Sequence, residues 1–169
     1  MYPKTKFFAT SGTKEQIAAI ARDKINEILE LIPGLKNEID FRPGKTNLTA
    51  KDYVKVTFKS GSVLDIVAAR DSSRGGRRHG GILEEVILLD GAMVNQVILP
   101  LMNVSRILPN GQKSDNDSPL NKNQCYITTA GYRNTFSYDK MLQLLLWQVL
   151  YPGKSCVMGG TWRKLGTRQ

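Results

Sequence analysis

The stretch Ser72 to Glu85 reads SSRGGRRHGGILEE, and no other part of the chain limits its fold so much. A run of glycines and arginines has little to bury, so it marks a loop at the surface. The apolar residues after it, Gly81-Ile82-Leu83, read as the end of a buried strand, and Glu84-Glu85 mark where that strand leaves the core. In an open α/β sheet, ligands bind at this carboxyl edge. Glycine lets a backbone approach an anion closely, arginine grips phosphate, and paired acids can hold a magnesium ion and a water. Together these parts suggest phosphoryl chemistry.

The flanking sequence supplies the layers such a sheet needs. Lys6 to Thr10 (KFFAT) is β-prone, and Ser11-Gly12-Thr13 turns the chain into a helix, with Thr13 and Gln16 spaced as a capping box. Ile17, Ala18, Ala21, Ile25, Ile28, Leu29 and Ile32 then recur at helical steps until Pro33-Gly34 ends the pattern. Tyr53 to Phe58 and Val63 to Ala69, joined by Ser60-Gly61-Ser62, read as a hairpin. A helix is expected from Ala92 to about Asn103, interrupted or ended near Pro100. Gln124 to Thr129 is a further strand, and Phe136 to Tyr151 reads as a helix buried on several sides. Cys156 to Met158 is a candidate last strand. The polar stretch 109–123 has almost nothing to bury and is expected to be a mobile surface loop, and 161–169 is a basic tail. No internal repeat is evident. The alternation of strands and helices predicts one α/β sheet domain over 1–169.

Composition narrows the setting. The chain has 169 residues, 41% of them hydrophobic, and a formal charge of +9. That is enough to build one core, and no apolar run reaches the roughly 18 to 20 residues of a membrane span. No secretory signal is evident, so a cytosolic protein with no membrane partner is expected. Cys125 and Cys156 lie in apolar segments without metal-like spacing and read as reduced core thiols. The positive charge favours an acidic partner such as nucleic acid, and Arg70, Arg74, Arg77, Arg78 and His79 crowd between positions 70 and 79.

If Glu84 and Glu85 emerge from a strand, they point to opposite faces and take different tasks. One orders a magnesium shell and the other polarises the attacking water. A plainer reading is a solvated pair of acids at a strand end. Asp90, which closes VILLD, is a second candidate, but Gly91 follows it where a second carboxylate is wanted. The basic loop could contact a nucleotide, a neighbouring subunit's nucleotide or DNA phosphates, or simply be solvated. His79, the sole histidine, carries no metal or acid-base signal. Gly44-Lys45-Thr46 superficially matches a phosphate-binding loop, but Ile39 stands where its first glycine belongs and an alternating strand follows instead of a helix. It is a decoy.

The blocks SSRGGRRHGGILEEVILLDGAMVNQVILPLMNVSR, YITTAGYRNTFSYDKMLQLLLWQ and GGTWR resemble the ATPase domain of tailed-phage terminase large subunits, the motors that package DNA. The resemblance runs from about Phe7 to Arg163. It implies a P-loop NTPase sheet of ASCE, RecA-like type, with ATP and Mg2+ as cofactors of the complete protein. It implies that ILEE is the Walker B segment, with Glu84 organising the metal and Glu85 as the catalytic carboxylate, although most such motors have Asp-Glu there. Arg74, Arg77 and Arg78 become nucleotide- or phosphate-sensing residues. ITTAG resembles the coupling motif, which implies that Thr128, Thr129 and Gly131 respond to the hydrolysed phosphate. The implied partners are double-stranded DNA, the portal, the small terminase subunit and further copies of the chain, in the cytoplasm of a bacterial host.

In that family the Walker A strand, loop and helix precede the strand that KFFAT resembles, and a nuclease domain follows the ATPase. Neither is present, so the sheet is expected to be incomplete on its N-terminal side, the tail 161–169 to lead toward the missing domain, and residues 1–169 alone to be inactive. Two other readings are kept: a non-catalytic basic α/β module binding nucleic acid or a packaging partner, and part of a helicase-like ATPase, which shares the same sheet and Walker B logic.

Overall fold

The computed structural model describes residues 3–70, 73–115, 118 and 121–159. Ser72, the tail 161–169 and most of the GGTWR block lie outside the described residues. The chain divides into two compact units, Met1–Thr129 and Ala130–Gln169.

In the first unit the expected strand-turn-helix opening is present. Strand β1 (Lys6–Thr10) leads into helix α1 (Lys14–Leu31), and the Thr13 hydroxyl caps it by accepting from the Gln16 N–H at 3.2 Å. The inner face of α1 is anchored by Ile17 and Ala18, which pack with Val54 and Ile66, and by Leu29, which packs with Ile39 and Val56. Ile28 and Ile32 share the apolar spacing yet stay exposed. A 3-10 helix, Pro33–Glu38, follows.

Strands β2 (Lys55–Thr57) and β3 (Val63–Ile66) form the expected antiparallel hairpin, each shorter than the sequence pattern. Strands β4 (Gly80–Glu84) and β5 (Asn123–Ile127) complete a five-stranded sheet of order β2-β3-β1-β4-β5, in which β3, β1, β4 and β5 run parallel. The α/β class is as expected. Two glycines of the basic stretch turn out to serve packing: a Cβ on Gly80 would sit 2.6 Å from the Phe7 ring and one on Gly81 2.4 Å from the Phe8 ring. The pairing of β1 beside β4, with the Phe7 and Phe8 rings close over the glycines, therefore requires both.

After β4 the chain forms a 3-10 turn, Val86–Leu88, then the helical segment α2 (Gly91–Met93), a π-helical turn Val94–Ile98, and α3 (Leu99–Leu101). These join into one helical run, Gly91–Leu101, widened by the π-helical turn and ending, as expected, close to Pro100. Pro100 has no N–H for the carbonyl four residues back, which is Gln96, and that carbonyl accepts from Arg74 Nη1 at 3.3 Å instead. The stretch 109–123 buries more than its polarity suggests. Asn121 Oδ1 accepts from the Arg106 N–H at 2.9 Å and the Ser114 hydroxyl at 2.8 Å, and both Ser114 and Asn121 are buried.

The second unit is organised on α4 (Phe136–Leu150), capped by Thr135. The expectation of a helix buried on several sides is corrected: Met141, Leu142, Leu145, Leu146, Trp147, Val149 and Leu150 are exposed, and of the helix only Ser137 is buried. Residues 155–157 are too few to cover it, touching it through Ser155 Oγ to the Leu144 carbonyl and the Val157 N–H to Gln148 Oε1. Nor do Cys156 to Met158 form a strand. Both thiols are free, but neither is in a core: Cys125 and Cys156 are exposed. Cys125 pairs with Ile82 in register, on the sheet face where Ile82 and Ile127 are also exposed.

Candidate functional site

Because four strands run parallel, their carboxyl ends share one edge of the sheet. Thr10 ends β1 and Ser11 follows it, Val67 follows β3, Glu84 ends β4, and Thr128 follows β5. Glu84 keeps strand geometry, whereas Glu85 turns out of it with a left-handed backbone, φ 49° and ψ 54°. Such a conformation is disfavoured for a residue with a Cβ and occurs where surrounding structure enforces it. The two carboxylates therefore have different surroundings through this turn, and not through simple strand alternation.

Burial holds the Glu84 carboxyl above its ordinary pKa, and the neighbouring charge of Glu85 pushes it the same way. Glu85 Oε2 accepts from Gln16 Nε2 at 2.9 Å. The Thr128 hydroxyl accepts from the Ile87 N–H at 3.2 Å and donates to the Thr129 carbonyl at 3.1 Å. So Thr128, which follows the residue paired with Glu84, is bonded to the turn that follows Glu85. Gly131 belongs to the second unit. At the end of β1, beside Leu83 in register, the hydroxyls of Thr10 and Ser11 are buried and have no hydrogen-bond partner among the described residues.

These groups suit a hydrated magnesium ion in one respect. A cation beside Glu84 would offset the cost of its burial and of its acidic neighbour. No group of three or more His, Cys, Asp or Glu among the described residues gathers at one point, so the remaining ligands would be waters and substrate phosphate, as magnesium commonly takes. Asp90 is engaged elsewhere: its Oδ1 accepts from the Ala92 and Met93 N–H groups and caps α2.

The basic loop is drawn to other partners. Arg78 donates from Nε to Asp65 Oδ1 at 3.1 Å and from Nη2 to Oδ2 at 2.7 Å, and Asp65 lies on β3, separated from β4 by β1. Arg74 reaches the Gln96 carbonyl, while Arg77 is exposed. Arg78 lines a cavity of about 410 Å³ with Lys14, Tyr53, Asp65, Arg70 and Ser73. His79 is buried, and its Nδ1 accepts from the Lys6 N–H at 2.9 Å, tying the starts of β1 and β4. Burial lowers its pKa and so favours the neutral imidazole.

The Gly44-Lys45-Thr46 decoy is a turn sewn to β2. Thr46 Oγ1 accepts from the Thr57 N–H at 3.1 Å, and the Lys45 carbonyl accepts from the Thr57 hydroxyl at 2.6 Å. Among the described residues, no strand-loop-helix phosphate cradle of the Walker A kind is formed. Sequence reasoning missed Gln16 and Asp65 as site residues. Gln16 was legible only as half of a capping box, and Asp65 only as a polar residue within a strand.

No family model matches the chain, and no curated protein matches it. Solved structures similar to it include the large terminase of a thermophilic bacteriophage, at 14% identity and a TM-score of 0.45, over 89% of this chain and 30% of that one. A form of the same terminase in complex with ADP matches at 16% identity and a TM-score of 0.40, over 75% and 26%. The ATPase domain of the Thermus phage P74-26 large terminase matches at 12% identity and a TM-score of 0.44, over 89% of this chain and 73% of that domain. The chain thus spans about a third of the length of the first of these terminases. At these values the likeness is too distant to carry a functional argument, which rests instead on the chain's own residues. What the chain is similar to, in these structures, is a part of phage large terminases.

Proposed function

We infer that this chain is the hydrolytic portion of a terminase-like ATPase that drives double-stranded DNA into a viral procapsid. The observation that carries the reading is the placement of Glu84 and Glu85 at the end of β4, one strand from Thr128, whose hydroxyl holds the Ile87 N–H in the turn that follows them. Glu85 is the base that polarises the attacking water. Glu84 would help to hold a magnesium ion, which would supply positive charge against the phosphate in the transition state. Thr128 links the turn after Glu85 to the chain that leaves β5, a route by which a change at the reacting phosphate reaches Thr129 and Gly131. The phosphates themselves are cradled by a strand, loop and helix outside residues 1–169. An uncovered place for such a unit supports this: β5 is an outer strand of the sheet, and Ile82, Cys125 and Ile127 on one face are exposed.

In this reading the working motor is an oligomer in the bacterial cytoplasm and engages the portal and the small terminase subunit. Among the described residues, no helix is long and apolar enough to cross a membrane. The test is nucleotide binding and turnover. Residues 1–169 alone should show no steady ATP hydrolysis. The protein carrying its phosphate-binding segment should hydrolyse ATP with magnesium and lose that activity in Glu85→Ala. Steady turnover by 1–169 alone, or unchanged turnover in Glu85→Ala, overturns the reading.

A second reading, a non-catalytic basic module, draws on the cavity that Lys14, Arg70 and Arg78 line. DNA binding that ignores nucleotide, magnesium and Glu85→Ala alike would favour it.

A further inference from the structure

We propose that Gln16 is a positioning residue for Glu85, holding one carboxylate oxygen so that the other is presented to water. The inference rests on the reading of Glu85 as the base, but the contact is independent of it. Gln16 Nε2 lies 2.9 Å from Glu85 Oε2, across 69 positions of sequence and in a partly buried setting. Its own placement is rigid. The Gln16 N–H is held by the Thr13 hydroxyl at 3.2 Å, and the next two residues, Ile17 and Ala18, are buried anchors of α1.

Two further features require such a support. Glu85 has left the ladder of β4 in a left-handed conformation, so strand hydrogen bonds no longer fix its direction. The β1–α1 corner is also packed against the turn that follows Glu85: a Cβ on Gly12 would stand 3.3 Å from Leu88 Cβ. The segment bearing Gln16 and the segment bearing Glu85 are thus pressed together at two points, the amide contact and Gly12.

The chemistry of the donor is apt. An amide gives a hydrogen bond to one oxygen without adding a positive charge, so it orients the carboxylate without the strong loss of basicity a lysine or arginine would impose. A misplaced base loses rate at the chemical step and leaves substrate binding alone.

The contact has a signature that needs no ATP turnover. In residues 1–169, Glu85→Ala should move the Gln16 side-chain amide resonances, because it removes the oxygen that accepts from Nε2, whereas Lys24→Ala should leave them in place. Amide resonances unmoved by Glu85→Ala overturn the contact. In the protein carrying its phosphate-binding segment, Gln16→Ala should lower kcat by about ten- to a hundredfold with the KM for ATP little changed. Gln16→Glu should be worse than Gln16→Ala, because it replaces the donor with a second acceptor set against the Glu85 carboxylate. Lys24→Ala, on the exposed side of the same helix, is the control without effect. If Glu85→Gln abolishes turnover while Gln16→Ala keeps full kcat, the positioning role fails alone. If Glu85→Gln itself leaves turnover intact, the functional reading fails and the amide signature still reports the contact.

Discussion

Asp65 and Arg78 form a two-point ion pair, Nε to Oδ1 at 3.1 Å and Nη2 to Oδ2 at 2.7 Å, with side chains only 12% and 19% exposed. Removing one partner strands a charge where water reaches it poorly. Arg78→Ala should therefore destabilise the fold by roughly 3–5 kcal/mol, read by denaturant unfolding. The double variant Asp65→Leu, Arg78→Leu should cost clearly less than Arg78→Ala. Equal losses would mean the pair is not desolvated. Any functional defect of an Arg78 variant has to be separated from this loss of stability.

Glu84 gives a pH signature. Its folded pKa is raised above the ordinary value of 4.5, first by burial and then by Glu85. Between those two pKa values the folded state holds more protons than the unfolded state, so stability falls as pH rises through that window. Melting temperatures of the wild type and Glu84→Gln should thus differ more at neutral pH, with Glu84→Gln the more stable, and converge in acid. A difference that grows on acidification has the wrong sign for this account.

Position 85 should invert the usual order of alanine and glycine. With φ at 49°, Glu85→Gly is expected to be more stable than Glu85→Ala by about 1 kcal/mol, since only glycine adopts this backbone without penalty. Urea titration of the two variants checks it. Alanine at least as stable as glycine would show that the turn relaxes to a right-handed backbone once the carboxylate is gone.

Gly81→Ala should cost roughly 1–3 kcal/mol through overpacking, because the new methyl falls 2.4 Å from the Phe8 ring. Phe8→Leu should recover part of the loss in the double variant, a coupling that a double-mutant cycle measures. Purely additive losses would place the strain elsewhere.

How far the fold was legible depended on whether a segment carried its own structural cause. KFFAT, the Thr13 cap and the two strands around Ser60-Gly61-Ser62 were readable because local pattern and turn chemistry decide them. Glu84 and Glu85 at a strand end were readable for the same reason. The burial of α4 and of Cys125 was not, because an apolar residue records only that it is suited to a core and not which surface covers it. Asp65 and Gln16 were hidden for another reason. Their partners lie 13 and 69 positions away, and a polar residue on a strand or in a first helical turn looks the same whether it faces solvent or a distant side chain. The arginines of the basic stretch were read by charge alone, which overlooked that Arg78 is matched by Asp65 and that Pro100 leaves a carbonyl for Arg74.

The exposed Cys125 stands on the open face of the sheet beside Ile82 and Ile127. That gives the molecule an observation post. With Cys156→Ser in place, an environment-sensitive dye on Cys125 would brighten, and its thiol would become slow to alkylate, when another segment settles on that face. Occupancy of that face can then be timed directly, without waiting for any nucleotide to turn over.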